Sequence, residues 1–486
     1  MKYFSSLFLI FFVFLYCSAQ SYDEAKLQSA LLAASPINSD LRELCDEIGG
    51  RVTGSEANNK AVDWAMKKFQ NAGVSVVKDP FEMPSLWLPK STQLSFENMS
   101  DFIPQVVAKY HSPPGQYSGE LISVGMGTPD EIVALGTNIK GKFILVEMDL
   151  CFDIGGLFAE YAAASTVEVA AREAGVKGII FMASRPNKLL YRFISSKATD
   201  EDLPQLVMAR EDAQRCQRLL DTGVSLQVNL NIEAETGGTF TSHNVIAEIK
   251  GSEFPDEVVI IGAHLDSWAL GTGANDNGCN VSMMIDIARQ MKAQNIRPKR
   301  TIRFALWNGE EQGYFGSWDY TKDHLEELDK HLMAMSVDIG SGAITGFFTN
   351  GRQELADATD NILHNYADTT TTFTSLNIPI VGTDNFDFML QGVGNLVANH
   401  LSASYGKNYH AASDTYDKVD ITQLKKNAAI VGTVALGYAN MDKNEVNWNR
   451  QNRAEIQAIF DEHKLEFTMR MFNVWEPWAK LQRGRK

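Results

Sequence analysis

Residues 258–280, VVIIGAHLDSWALGTGANDNGCN, constrain the fold more tightly than any other stretch. Val258 to Ile261 are four consecutive β-branched residues, too few for a helix and suited to a strand buried on both faces. Gly262 breaks the run, His264 and Asp266 follow, and a glycine-rich loop then brings Asp276 and Asn277. A buried strand ending in His-x-Asp is a place to hold a metal. The Asp266 carboxylate can accept a hydrogen bond from the imidazole nitrogen not used for ligation, which fixes the tautomer. His-x-Asp alone is a modest signal, and the downstream sequence strengthens it.

Three later segments repeat the arrangement. Thr301 to Trp307 alternates Ile302, Phe304 and Leu306 before Asn308-Gly309-Glu310-Glu311; Leu332 to Val337 runs into Asp338; Val393 to Ala398 precedes a loop holding His410. Between the first two strands, Met284, Ile285, Ala288 and Met291 sit at helical spacing and read as core. The predicted class is therefore α/β, a mixed and mostly parallel central sheet flanked by helices. In open α/β sheets the functional crevice lies at the carboxyl ends of the strands, so His264, Glu310, Glu311, Asp338 and His410 are expected at one edge.

Two histidines with three carboxylates suit divalent ions, zinc foremost, and Asp276 on the intervening loop could bridge two of them. Glu310 and Glu311 are adjacent and cannot point the same way from an extended segment. One can ligate while the other faces the cleft as a base. Two ions about 3.5–4 Å apart polarise a carbonyl and acidify a water, and a carboxylate can pass that water's proton to a leaving amine. This is the chemistry of amide hydrolysis. A solvated helix start is the plain alternative for paired glutamates; the apolar strand before them and Gly309 weigh against it.

At 486 residues the chain should form more than one domain. Its net charge of −16 argues against nucleic acid as a partner. Lys2, the apolar run Leu7 to Tyr16 and Cys17-Ser18-Ala19 read as a cleaved secretory leader over residues 1–19, giving a secreted or periplasmic protein. The run is shorter than the ~20 residues that span a bilayer, and bulky Tyr16 argues against lipidation at Cys17. No later stretch is apolar enough for stable membrane insertion. Cys45, Cys151, Cys216 and Cys279 have no short spacings, so one disulfide or buried thiols are both open. Composition shifts divide the remainder into 20–110, a strand-rich unit at 111–235 with one clear helix, 236–442, and a helical extension at 443–486. The tryptophans of that extension are expected to pack it on the body.

HLDSW (264–268), GANDNG (273–278), WNGEEQG (307–313), SVDIG (336–340) and YHAASDT (409–415) resemble, in order, the motifs of the co-catalytic zinc aminopeptidase family. That family includes bacterial leucyl aminopeptidases, glutamate carboxypeptidase and carboxypeptidase Q. RPKRT (297–301) and Gly382-Thr383-Asp384 are similar to the carboxypeptidase Q branch. The resemblance covers about residues 240–440 and implies a secreted di-zinc exopeptidase acting on dipeptides or short peptides. It implies one zinc on His264 and Asp338, a second on Glu311 and His410, and Asp276 bridging. It further implies Glu310 as general base, Asp266 behind His264, and a cis peptide after Asp276. Residues 111–235 would be a protease-associated insert. Tyr409, Trp268, Thr383, Asp384 and Phe386 are candidate substrate-binding residues, and a homodimer is in keeping with the family. Two readings stand beside it, a glutaminyl cyclase with a single zinc and a receptor-like binding protein that has lost catalysis. Retention of every motif ligand weighs against the latter.

Overall fold

The computed structural model describes residues 22–193, 203–364, 366 and 372–486; the leader at 1–19 and Cys17 lie outside the described residues. Along the chain, β1 (Ser75–Met83) opens a first sheet, and the chain then leaves for a second. That second sheet comprises β2 (Leu86–Phe96), β3 (Val106–Ala108), β4 (Gly115–Ser123), β5 (Phe143–Val146), β6 (Gly178–Met182), β7 (Gln205–Met208) and β8 (Leu226–Gly237). The chain returns to the first sheet as β9 (Phe240–Ile249), β10 (Phe254–His264), β11 (Arg300–Trp307), β12 (His331–Ser336), β13 (Ile344–Phe348) and β14 (Asn395–His400).

The first sheet has the order β1-β9-β11-β10-β12-β14-β13. Its centre, β11-β10-β12-β14, is parallel, and the outer pairings are antiparallel. The sheet is thus mixed, with parallel pairing confined to the middle, where crossover helices cover both faces. Every residue from Val258 to His264 is buried, as the aliphatic run requires. Register sets the strand ends nearly level: His264 pairs with Trp307, Gly262 with Ser336, and Ser336 with Val397. Gly262 is demanded by packing, since a Cβ there would lie 2.6 Å from the Trp307 Nε1. The helices Cys279–Ala293 and Ile421–Asn440 bury Met283, Met284, Ile287, Val431 and Val434 in the main core.

The second sheet begins earlier than expected. Both β2 and β3 precede residue 111, and β2 pairs with β8. Prolines hide this in the sequence: the β2–β8 register shifts between Pro89 and Ser91, which breaks the two-residue alternation. The unit is also more helical than its short strands suggest, because helices Ile154–Ala174 and Arg210–Asp221 pack on it. The first of these is alanine-rich, so its buried face gives little periodic contrast. All four described cysteines are buried free thiols. No helix among the described residues is long and apolar enough to cross a membrane.

The extension folds as helices Arg453–His463, Glu466–Met471 and Trp475–Ala479. Trp478 is buried with Phe460 against Phe386 and Leu390. Arg483, near the chain end, is no solvated cation: its Nε and Nη2 donate to the two carboxylate oxygens of Asp387 at 2.7 and 2.6 Å, both residues buried.

Candidate metal centre and active site

Levelled strand ends bring the anticipated residues together. His264 ends β10, Glu310 and Glu311 follow β11, Asp338 follows β12, and His410 lies in the loop beyond β14. All are buried. His264, Asp276 and Asp338 form one group whose ligating atoms lie within 4.8 Å of each other; Asp276, Glu311 and His410 form another. The His264 Nε2 is 2.9 Å from the Asp338 Oδ1 and 3.1 Å from the Asp276 Oδ1. The His410 Nε2 is 2.9 Å from the Glu311 Oε2 and 3.2 Å from the Asp276 Oδ2. Asp276 therefore offers one oxygen to each imidazole. The Asp276–Asn277 peptide is cis.

The donor set fits divalent cations. The Glu311 Oε1 and His410 Nδ1 are buried without hydrogen-bond partners. Oxygen donors from carboxylates with imidazole nitrogen suit zinc or similar ions. Burial raises the Glu310 carboxyl well above its usual range, reinforced by Asp338, Glu311 and Asp384. Burial likewise lifts Glu311 to about 7 and raises Asp338. Burial acts upward on Asp276 too, but hydrogen bonds from both imidazoles hold it below the ordinary carboxylate value. Burial disfavours the imidazolium forms, yet the surrounding carboxylates raise His264, and they lift His410 to about 9. So much buried negative charge around two imidazoles is what a bound cation would neutralise.

Asp266 acts differently from expectation. The His264 Nδ1 lies 3.0 Å from the backbone carbonyl of Asp266, whereas its carboxylate is 3.7 Å away. A carbonyl only accepts, so Nδ1 carries the proton and Nε2 faces the carboxylates. The Asp266 Oδ2 instead accepts from the Thr53 hydroxyl at 2.9 Å. That same Thr53 oxygen accepts from the Gly309 N–H at 2.9 Å, linking the turn before Glu310 to the His264 strand.

The sequence assigns no role to Asp414, although it lies within YHAASDT (409–415), or to Arg51. Asp414 accepts from the Asn275 N–H at 2.8 Å and the Asp276 N–H at 3.1 Å, and so holds the bridging loop. Burial raises its carboxyl to about 7. Arg51, fully buried, donates to the carbonyls of Leu265, Thr272 and Gly273 at 2.8, 2.6 and 3.0 Å. It fastens both ends of the loop between His264 and Asp276. Arg51 and Thr53 both lie in the glycine-rich segment Gly49–Ser55. The Asn277 side chain donates to the Val337 carbonyl at 2.9 Å, turned to structure and not to the imidazoles.

A cavity of about 160 Å³ opens on Glu310, Glu311, Asp338 and His410. Its apolar side includes Phe158 and Tyr161 of the second unit, Tyr314, Ile380 and Val381 of the body built on the first sheet, and Phe472 of the extension. Among the described residues that line it there is no lysine or arginine. Thr383 and Tyr409 line it as anticipated. Trp268, Asp384 and Phe386 do not. Trp268 packs in the second sheet's core, edge-on to Tyr110 and to His410 at 5.4 and 5.8 Å between centroids. Phe386 is fully buried against the extension. Asp384 faces a separate small void beside Ser336 and Trp307, and burial raises its carboxyl well above the usual range.

Residues 244–435 match the profile of peptidase family M28. Carboxypeptidase Q of Mus musculus is 26% identical over 413 residues, covering 82% of this chain and 85% of the relative. The solved structure of a peptidase M28 precursor from Shewanella amazonensis is 27% identical, with a TM-score of 0.79 over 90% of this chain and all of that one. A zinc aminopeptidase from Bacillus subtilis, 20% identical, shares the fold with a TM-score of 0.66 over 86% of this chain and 98% of its own. With its strand-end carboxylates and imidazoles inside the span that matches the M28 profile, the chain is a metallo-exopeptidase similar to proteins of peptidase family M28.

Proposed function

We propose that the protein is a di-zinc exopeptidase that removes the amino-terminal residue from dipeptides and short peptides. The observation that carries this reading is the pairing of each Asp276 oxygen with a different imidazole, beside a cavity bounded by Glu310. His264 and Asp338 would hold one zinc ion, Glu311 and His410 the other, and Asp276 would serve both. Bound there, the ions would polarise the scissile carbonyl and acidify the attacking water. Glu310 belongs to neither ligand group and lines the cavity, so it is free to accept the water's proton. The pKa of its carboxyl, raised by burial, suits it to deliver that proton to the departing amine. Tyr409, whose ring stacks on His410 at 3.6 Å between centroids, places a hydroxyl in the same cavity, where it could donate to the carbonyl oxygen.

The charge of the cavity favours the amino end of the substrate. Glu310, in neither ligand group, remains to face a substrate ammonium, and among the described lining residues no lysine or arginine is present to pair with a terminal carboxylate. The small volume admits a chain end and excludes folded protein. Residues 1–19 serve in this reading as a secretory leader, and the second sheet as a protease-associated unit bordering the substrate. The test is to digest one peptide in free, N-acetylated and C-amidated forms with zinc-loaded protein and to measure zinc per chain. Cleavage of the free and amidated forms with about two zinc ions is expected. Equal cleavage of the acetylated form would overturn the amino-terminal assignment, and one ion per chain the di-zinc one.

A further inference from the structure

The apolar side of the cavity is completed by a segment beyond the matched peptidase span. The extension is anchored through Ile456, Phe460, Met469, Val474 and Trp478, and its end is clamped by the Arg483–Asp387 pair. Between Met471 and Val474, both buried, Phe472 is turned to the cavity. Its ring lies 5.6 Å from Tyr161, 6.5 Å from Phe158 and 6.2 Å from Tyr314, centroid to centroid. Phe472 is thus the point where the inserted unit, the peptidase body and the extension meet. Opposite it, Gly382 presents bare backbone; a Cβ built there would come within 3.5 Å of the Phe472 ring.

We infer that Phe472 sets the size of the substrate's amino-terminal side chain, and that the extension exists to hold this ring in place. The substrate class is short peptides beginning with a neutral, apolar residue. The inference rests on the peptidase reading above. Anchoring on both flanks means that the ring cannot swing aside as a free loop residue would. Aromatic neighbours on three sides leave the cavity as its open direction. A side chain entering from Glu310 therefore meets a fixed apolar wall, whose depth changes with the residue at 472.

The experiment uses full-length, zinc-loaded Phe472→Ala, Phe472→Leu and Phe472→Trp variants, with melting temperature and zinc content as folding controls. Turnover of X-Gly dipeptides and binding of the corresponding amino-acid hydroxamates are measured for X = Ala, Leu, Phe and Trp. Phe472→Ala and Phe472→Leu should raise kcat/KM for Trp relative to Ala, the alanine variant by about ten-fold, and Phe472→Trp should lower it by about as much. Hydroxamate affinities should follow the same ranking. An unchanged ranking in folded variants overturns the inference while leaving the peptidase reading intact. A shifted hydroxamate ranking without turnover by the parent protein upholds Phe472 and overturns the peptidase reading.

Discussion

The floor and the apolar wall of the cavity are assembled in contrasting ways. On the floor, His264, Glu310, Glu311 and Asp338 follow adjacent strand ends, and their backbones are fixed by sheet register and by Arg51, Thr53 and Asp414. The wall draws Phe158, Tyr314 and Phe472 from distant segments whose rings meet beside the cavity. Floor groups are charged, buried and hydrogen-bonded, so a small displacement alters the chemistry. Wall groups exclude water and shape the space, so a change there alters which substrate fits. Substitution on the floor should therefore cost rate, and substitution on the wall should reorder substrates.

The sharpest test of that division is Glu310→Gln. The amide keeps the shape but cannot take a proton, so kcat should fall by about 10²–10⁴-fold. Zinc content should stay at the parent value, because Glu310 is in neither ligand group. Turnover within ten-fold of the parent, in protein shown by elemental analysis to be fully loaded, would remove Glu310 from the proton path.

Metal removal should expose the floor's charge next. In the metal-free fold Glu311 is lifted from 4.5 to about 7 and His410 from 6.5 to about 9. Both shifts mean that the folded state binds more protons than the unfolded chain. The Glu311 contribution is lost as pH rises from about 4.5 to 7, and that of His410 between about 6.5 and 9. Each costs up to about 1.4 kcal/mol per pH unit within its window. Chelated protein should accordingly melt several degrees lower at pH 8.5 than at pH 5.5, while zinc-loaded protein, its ligands already deprotonated by the ions, should not. The wall has no ionisable group of this kind, so equal melting of the chelated protein at both pH values would erase the contrast.

A smaller effect is expected one layer behind the ligands. In Asp414→Asn one acceptor becomes a donor facing the Asn275 or Asp276 N–H, and the bridging loop must shift. Zinc affinity should drop by about 10–100-fold, read by competition with a chelator. At saturating zinc, kcat should return to within a few-fold. Unchanged affinity would mean that the loop is held without Asp414.

The same contrast explains what could be read in the sequence. The candidate ligands His264, Glu311 and Asp338 were legible because each sits at or just past the end of an apolar strand, and strand ends in a parallel sheet converge; Asp276 and His410 lie further along their loops and were read through their motifs. Asp266 shows the limit: its spacing was right, but backbone geometry gave the hydrogen bond to its carbonyl and its carboxylate to Thr53. Trp268 and Phe386 had residue types suited to a pocket, yet neighbouring cores claimed both rings. Arg51 and Asp414 were hidden because charge in a loop ordinarily means exposure, and their burial depends on distant partners. Tyr161 and Phe472 lie in no motif. Their positions follow from how the second unit and the extension dock, which no local period encodes.

One polar contact ties wall to floor, and it should produce the smallest effect. The hydroxyls of Tyr161 and Tyr409 are 3.2 Å apart, and burial keeps both phenols protonated. If Tyr161 orients the Tyr409 hydroxyl toward the reacting carbonyl, Tyr161→Phe should lower kcat by about ten-fold or less, with KM nearly unchanged, since one neutral hydrogen bond is worth about 1 kcal/mol. Tyr409→Phe should cost at least as much, and adding Tyr161→Phe to it should cost nothing further. A double-mutant cycle on kcat/KM would then give a coupling of about 1 kcal/mol. Additive losses would mean that the two rings act separately, so that the wall shapes the cavity without steering any group on the floor.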